Sequence, residues 1–329
     1  MPFTLPSIKS MMINFDRISH CWRRIASTAS VFLVMASGYH LSAAELDQKR
    51  LALYAIDDLE QRVATVAHKL AVAGVGHCRV SAPLTGFAVH HLSQYNIEFR
   101  RAARTHFGLD QRVQVLSVAI GGAADRAGLK PGDVVTQVDG ISLPELNPNM
   151  SAATVVFVEN VDQIIDEAAT DGLVTLAIIR DGNLEVLRVE TDYGCQSKVN
   201  VKPSNELNAY ADGSNVIIST AIAGLARDNA ELAAIVAHEF AHNILQHRKL
   251  LNERGRDRHL VRFTESEADK LSIHLLDAAD FDPNAALRFW ERYGPKQHSF
   301  FSSSGHPSWR SRIKAMAFEI ETLQLAQQP

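Results

Sequence analysis

The sequence of 329 residues contains only three cysteines, 7% aromatic residues and no large excess of either charge. So few cysteines exclude a disulfide-dense scaffold. A net charge of −4, with basic residues spread along the chain, argues against a nucleic-acid-binding protein. No stretch is apolar enough for a polytopic membrane protein. The 46% hydrophobic content and the absence of repeats exclude a disordered or collagen-like chain, and the length predicts two domains.

The N-terminus, residues 1–44, is typical of an export signal. Three arginines between 17 and 24 precede a mostly apolar stretch over 25–41, and the small residues at 42–44 suit a cleavage site. The pattern predicts a cleaved signal peptide and a periplasmic or secreted protein. The alternative is a membrane anchor that stays uncleaved, although several polar residues shorten the apolar run.

Two cysteines, Cys78 and Cys195, remain after this signal. In an oxidising compartment an even number of cysteines predicts a disulfide, and two buried thiols are the alternative. The pair flanks the middle of the chain. Because the ends of a domain are often close in space, the bond would close the base of that region.

The mature chain divides into three parts. Apolar residues recur at three- and four-residue steps in 45–77, which predicts one amphipathic helix that packs against the body. Residues 78–195 contain short strand-like runs, and 196–329 are mostly helical, with a long helix over about 228–250. The fold class is therefore α+β, a mainly helical domain plus a smaller β-rich one.

The strongest chemical signal is His238-Glu239-Phe-Ala-His242, within a segment rich in helix-forming residues. Positions i and i+4 lie on one face of a helix, so both imidazoles can reach one ion. Glu239, about 100° away, can address a water on that ion. Neutral imidazoles suit zinc, and the alternative reading is a solvated helix face.

A catalytic zinc needs a third protein ligand, and the sequence after His242 lacks the Gly and third His of a metzincin. The next candidates are Glu265 and Asp269, which are again four residues apart. One can ligate zinc while the other orients a ligand histidine. Glu267 is predicted to face elsewhere, and His247, five residues after His242, is predicted to be structural.

Three ordered motifs resemble one family. His238-Glu-x-x-His242, then Glu265-x-x-x-Asp269, then His306-Pro-x-x-x-x-Arg312 is similar to the HtpX-, BepA- and Oma-like gluzincin zinc metallopeptidases, which include the prenyl-protein CAAX endopeptidases. The resemblance covers about 198–315.

The resemblance implies a role for each matching residue. It makes His238, His242 and Glu265 ligands of one zinc ion and Glu239 the general base, with Asp269 supporting a ligand. It further implies that His306 lies near the zinc or assists the oxyanion and that Arg312 faces the cleft. Strand 216–220 would pair with an extended substrate.

The segment 123–140 resembles a PDZ domain of the bacterial protease type, with an Ala-Gly-Leu turn and a Gly-Asp turn before a strand. Upstream, four residues look like its carboxylate-binding loop: Leu84, Thr85, Gly86 and Phe87. Strand 87–91 would accept a peptide, and helix 158–170 would form the other wall. The alternative is a PDZ-like fold that packs on the protease and binds no peptide.

Together these features predict an exported zinc endopeptidase with a PDZ-like module for substrate selection or regulation. The resemblance implies unfolded or misassembled envelope proteins as substrates. The charge distribution predicts no nucleic-acid partner, and a membrane association is left open. A peptide-binding chaperone or adaptor with a gated or nearly silent zinc site is the alternative, and a PDZ scaffold is a third. The presence of Glu239 favours the enzyme, because a structural zinc site does not need that acid.

Overall fold

The computed structural model describes residues 43–145, 154–296 and 307–328. The predicted signal peptide, except for its last two residues, and His306 lie outside these ranges. Within them, no helix is both long enough and apolar enough to cross a bilayer.

Helices occupy the start of the described chain and most of its C-terminal part. They are α1 (Ala43–Ala73), α2 (Ile97–Phe107), α3 (Ala123–Arg126), α4 (Val156–Ala168), α5 (Thr220–Ala223), α6 (Asn229–Ile244), α7 (His247–Arg254), α8 (Arg258–Ala278), α9 (Asn284–Tyr293) and α10 (Trp309–Ala326).

Strands dominate the middle. They are β1 (Ser81–Leu84), β2 (Phe87–His90), β3 (Val113–Val118), β4 (Val134–Val138), β5 (Ile141–Ser142), β6 (Leu173–Arg180), β7 (Asn183–Glu190), β8 (Asp192–Cys195), β9 (Lys198–Lys202), β10 (Ala209–Ala211) and β11 (Asn215–Ser219).

Helix α1 follows the predicted period. Its apolar stripe, including Val63, Val66 and Leu70, is buried in the same hydrophobic core as α6 and α8. The helix therefore belongs to the core of the C-terminal region, as expected for a brace that cannot bury its apolar face alone.

The middle region forms an antiparallel sheet in the order β2-β3-β4-β6-β7, with β5 added to β4. Strands β6 and β7 form a hairpin. Asp181 and Gly182 both have positive φ, 50° and 80°, the conformation that a two-residue turn between twisted strands requires. Apolar residues of α3 and α4 cover the sheet.

The base of this region is tied to α1. Cys78 and Cys195 form the predicted disulfide, with Cα atoms 5.6 Å apart across 117 residues of sequence. Strand β8 pairs with β1 and crosses the end of α1 so closely that a Cβ on Gly194 would lie 2.6 Å from the carbonyl oxygen of Ala71. Only glycine fits there.

The C-terminal region has a three-stranded sheet in the order β10-β11-β9. The prediction that strand 216–220 pairs with substrate is wrong, because β11 lies in the middle with a neighbour on each side. Strands β10 and β9 are the two edge strands. Sequence pattern alone identified the apolar strand but not its place in the sheet.

The long helix predicted over 228–250 is two helices. Asp228 caps α6 by accepting a hydrogen bond from the Glu231 amide. Helix α6 ends at Ile244, and Gln246 then takes a left-handed conformation with φ 54°. A single left-handed residue redirects the chain, so α7 starts at His247 in a new direction.

Candidate metal centre

Two helices bring three potential ligands together. Helix α6 places His238 and His242 one turn apart, with their Nε2 atoms separated by 3.3 Å. Helix α8 packs on α6 and adds Glu265, whose carboxylate oxygens lie 3.5 Å from His238 Nε2 and 3.6 Å from His242 Nε2. One ligand atom from each residue falls within 4.8 Å of the others, so the three can hold one metal ion.

The donor set suits zinc. Two imidazoles and one carboxylate are three protein ligands, the number that a catalytic zinc site uses while keeping a position for water or substrate. A cavity of about 510 Å³ opens on these three residues and on Glu239. The edge strand β10 forms one wall of this cavity.

Asp269 supports the first histidine. Its Oδ1 atom lies 3.1 Å from His238 Nδ1, on the side of the ring away from the ligand cluster. Burial raises the pKa of Asp269, but the Arg312 charge and the hydrogen bonds to His238 and Arg312 outweigh that effect and lower the pKa to about 2. The carboxylate is thus ionised and can fix the orientation of the ring.

Arg312, which the resemblance placed facing the cleft, does not line the large cavity but lines a small pocket with Ala209, His238 and Glu239. Its guanidinium is 4% exposed and donates to both carboxylate oxygens of Asp269, at 2.8 and 2.5 Å. It also lies 4.0 Å over the ring of Trp290. With two donors engaged on Asp269, Arg312 holds the carboxylate that orients His238, and it is a positioning residue instead of a group in the open cleft.

His247 is a residue whose part in the site the sequence did not reveal. It is 3% exposed, and its Nδ1 atom lies 2.9 Å from His242 Nδ1. The left-handed turn at Gln246 makes this contact possible, because a continuous helix would carry His247 to another face. Both ligand histidines therefore have a partner on their second ring nitrogen.

Glu239 lies beside the ligands and lines the cavity. Burial raises the pKa of its carboxyl; His238 and Arg312 oppose this shift, and Glu265 adds to it. The backbone N–H of Ala211, in β10, donates a hydrogen bond to the carboxylate. A raised pKa brings a carboxylate closer to the basicity that proton transfer near neutral pH requires.

The two ligand histidines differ in the metal-free protein. Burial and the Arg312 charge favour neutral His238, but hydrogen bonds to Asp269 and Glu265 prevail and raise its pKa to about 9. Burial, with repulsion from His238, lowers the pKa of His242 to about 3. Metal binding must therefore release a proton from His238, while His242 is already neutral.

The four predicted loop residues lie at the start of the middle sheet. Leu84 ends β1, the carbonyls of Thr85 and Gly86 accept hydrogen bonds from the amides of Ala124 and Ala119, and Phe87 begins β2. Strand β2 is the edge of the sheet, and α4 lies beside it. This is the arrangement that strand addition needs, and peptide binding there stays a prediction.

Comparison with known proteins matches both parts of the chain. Residues 186–256 and 255–319 match the model of peptidase family M48, and residues 114–180 match a PDZ domain model. The chain carries an M48 metallopeptidase domain and a PDZ domain. The M48 match contains every ligand candidate and Arg312, and the PDZ match contains most of the middle sheet. The α+β fold expected from the sequence is confirmed.

One relative is similar over part of the chain. The mitochondrial metalloendopeptidase OMA1 of Schizosaccharomyces pombe is 29% identical over 140 residues, which are 32% of this chain and 42% of the relative. The chain therefore spans less than half the length of that protein.

Proposed function

We propose that this protein is an exported zinc endopeptidase that cleaves peptide bonds in envelope proteins, as part of protein quality control. The observation that carries the proposal is the grouping of His238, His242 and Glu265, with Glu239 beside them, on the wall of a large open cavity. The M48 match and the similarity to a metalloendopeptidase support the same chemistry.

The residues of the site have different roles in the proposed reaction. When bound, zinc supplies Lewis acidity toward the scissile carbonyl and the attacking water. Glu239 takes a proton from that water and delivers it to the leaving amine. Asp269 and His247 hold the rings of His238 and His242 in place, so the ligand atoms do not have to reorganise during the reaction.

Substrate would add to β10. Asp212 and Asn208 bond to β11, through Asp212 N–H to the Asn215 carbonyl and through Ser219 N–H to the Asn208 carbonyl. Backbone groups alternate between the two sides of a strand, so those of Ala209 and Ala211 face the open edge, which lines the cavity and where the Ala211 N–H donates to Glu239. An extended chain can pair there independently of its side chains, which suits unfolded substrates.

The decisive experiment compares degradation of casein by the mature chain and by Glu239→Gln. We expect the variant to lose about 10²–10⁴-fold in rate and still bind zinc, because only the proton-transfer group changes. A chelator should stop the wild type and added zinc should restore it. Glu267→Gln, which removes a half-buried carboxylate of α8 outside the ligand cluster, is the matched control.

Equal cleavage by wild type and Glu239→Gln would contradict the mechanism. If neither protein cleaves casein although both bind zinc, the chaperone or adaptor function predicted as the alternative gains support.

Export is a separate part of the proposal. It rests on the charge and hydropathy of residues 1–44 and is consistent with the disulfide between Cys78 and Cys195. Fractionation of cells that produce the full chain, with mass measurement of the product, should find a protein that begins after Ala44 and has no free thiol. An uncleaved chain in the membrane fraction would instead support the anchor alternative.

A further inference from the structure

Part of the wall of the cavity at the metal centre is basic. Besides the ligand cluster and β10, the cavity is lined by three arginines, Arg248, Arg256 and Arg258. All three are exposed. The acidic residues that line the same cavity are Glu239 and Glu265, and both belong to the metal centre.

The path of the chain places these arginines together. Arg248 is the second residue of α7, and Arg258 is the first residue of α8. Between the two helices Gly255 has φ 86°, a conformation that favours glycine and reverses the chain here. The turn keeps Arg256 and Arg258 on the same cavity wall as Arg248.

These exposed arginines differ from three arginines of the chain that are buried or half-buried. Arg180, Arg292 and Arg312 each bind a buried carboxylate. No carboxylate of the described residues lies within 4.0 Å of the three cavity arginines. Arg248 interacts electrostatically with Asp212, but at more than 4.0 Å, so the guanidinium donors are available to a ligand that enters the cavity.

Charge along the chain is less evenly spread than the composition indicated. The segment 247–262 contains six basic and two acidic residues, although the whole chain has a net charge of −4. Of the two acids, Asp257 caps α8 by accepting from the amides of His259 and Leu260. Positive charge is thus concentrated at one end of the cleft, and the same segment has few acidic residues to balance it.

We propose that this arginine wall binds a carboxylate of the substrate, so that the enzyme selects peptides with an acidic residue near the scissile bond. The inference rests on the proposed peptidase function and specifies its substrate class. A peptide is the favoured ligand because the arginines share a concave cavity with the edge strand and the metal ligands. Guanidinium groups match carboxylates in both charge and geometry.

The first test uses fluorogenic peptides that differ only in Glu or Gln at one position, scanned on both sides of the cleaved bond. The termini are blocked, so the only variable carboxylate is the side chain. At low salt we expect kcat/KM to favour Glu by about two- to fivefold at one or two positions. The preference should shrink in 0.5 M salt, because screening weakens exposed ion pairs.

The second test changes the protein. Replacing the three arginines together by glutamine (R248Q, R256Q, R258Q) should bring the Glu-to-Gln ratio close to one. The matched control replaces Lys249, Arg254 and Arg262 together by glutamine, because these three residues are exposed in the same segment but do not line the cavity. If this control lowers the ratio as much as the first triple variant, the effect comes from the overall charge of the segment, and the proposed binding wall is wrong.

A binding measurement separates this proposal from the peptidase proposal. Fluorescence anisotropy of labelled Glu and Gln peptides on zinc-loaded Glu239→Gln does not depend on cleavage. Tighter binding of the Glu peptide that is lost on the first triple variant supports the wall even if no cleavage is found. Equal binding of both peptides overturns it.

Two further measurements distinguish the proposed acidic side chain from two competing ligands, a peptide C-terminus and a lipid surface. A preference for a peptide with a free terminal carboxylate, without any for an internal Glu, would overturn the assignment to an acidic side chain. Arginine-dependent binding to phosphatidylglycerol vesicles, without a peptide preference, would overturn it in favour of a lipid surface.

Discussion

The middle sheet and the M48 domain bury different kinds of side chains. The core between the sheet and helices α3 and α4 is mainly apolar, although the sheet also buries the polar side chains of His90, Gln114 and Ser117. The buried Asp133 pairs with Arg180 at the rim. In the M48 domain, the buried carboxylate of Asp269 and the buried guanidinium of Arg312 lie beside His238, deep between α6, α8 and α10.

This contrast indicates that the reactive groups lie in the M48 domain. Apolar burial stabilises a fold at no cost in lost hydration of charges, whereas a buried ion pair is often no more stabilising than apolar residues of the same size. A domain that retains such a pair next to two histidines and two glutamates uses it to orient ligands. The sheet buries His90 and Gln114, but the group of potential metal ligands found among the described residues lies in the M48 domain.

The largest expected effect comes from breaking the buried pair. Asp269→Asn leaves the Arg312 guanidinium buried without its partner, and we expect the free energy of unfolding to fall by about 3–5 kcal/mol. Denaturant unfolding of the chelated protein measures it. The double variant Asp269→Leu, Arg312→Met should recover much of that stability but not zinc affinity. A loss below about 1 kcal/mol in Asp269→Asn would show that the pair is not needed for folding.

In the apolar core of the middle sheet, a substitution should lower stability without changing zinc affinity. Leu176→Ala, at a fully buried position of β6, should lower the free energy of unfolding by about 2–5 kcal/mol, since it removes methyl groups and leaves a cavity. Zinc affinity of the folded variant should be unchanged. Leu184→Ala, at a position 70% exposed on the neighbouring strand, is the control and should have almost no effect. A parallel loss of zinc affinity in Leu176→Ala would mean that the two interiors are coupled.

A smaller effect is expected at the histidine that the sequence did not identify. His247→Ala removes the group that contacts His242 Nδ1, and we expect zinc affinity to fall about 10–100-fold. Competition with a fluorescent chelator measures it. His259→Ala, at an exposed position of α8, is the control. Unchanged affinity in His247→Ala would make the contact a packing feature only.

The smallest effect concerns a carboxylate outside the metal centre. Burial, with repulsion from Asp57, raises the pKa of Glu60 on α1 to about 7. The folded state then holds a proton that the unfolded state has lost, so stability falls as pH rises from about 4.5 to 7. Glu60→Gln should remove this dependence and be more stable than wild type by about 1–2 kcal/mol at pH 8. Thermal unfolding at pH 5 and pH 8 measures it. An equal pH dependence in both proteins would mean that a group other than Glu60 titrates.

Local pattern was enough for most elements. The apolar period of α1, the two positive-φ residues of the Asp181-Gly182 turn and the spacing of His238 and His242 are each encoded within a few residues. Interactions of this range are set by backbone geometry and side-chain direction, which depend little on the rest of the chain. The pairing of Glu265 and Asp269 on one helix face has the same origin.

Other features required the folded chain. Strand β10 instead of β11 is the edge beside the cavity, because strand order depends on which segments pair. His247 reaches His242 through a left-handed residue, Gln246, that is not a glycine or an asparagine and so has no clear sequence signal.

The sequence by itself determined which residues can ligate a metal, since their chemistry and helical spacing are local properties. Only the tertiary structure decided what surrounds them. Arg312 is held by Asp269 across 43 residues of sequence, and three arginines of another turn complete the cavity wall. Such contacts depend on how α8 and α10 pack against α6, and packing is a property of the whole core, which no short stretch of sequence specifies.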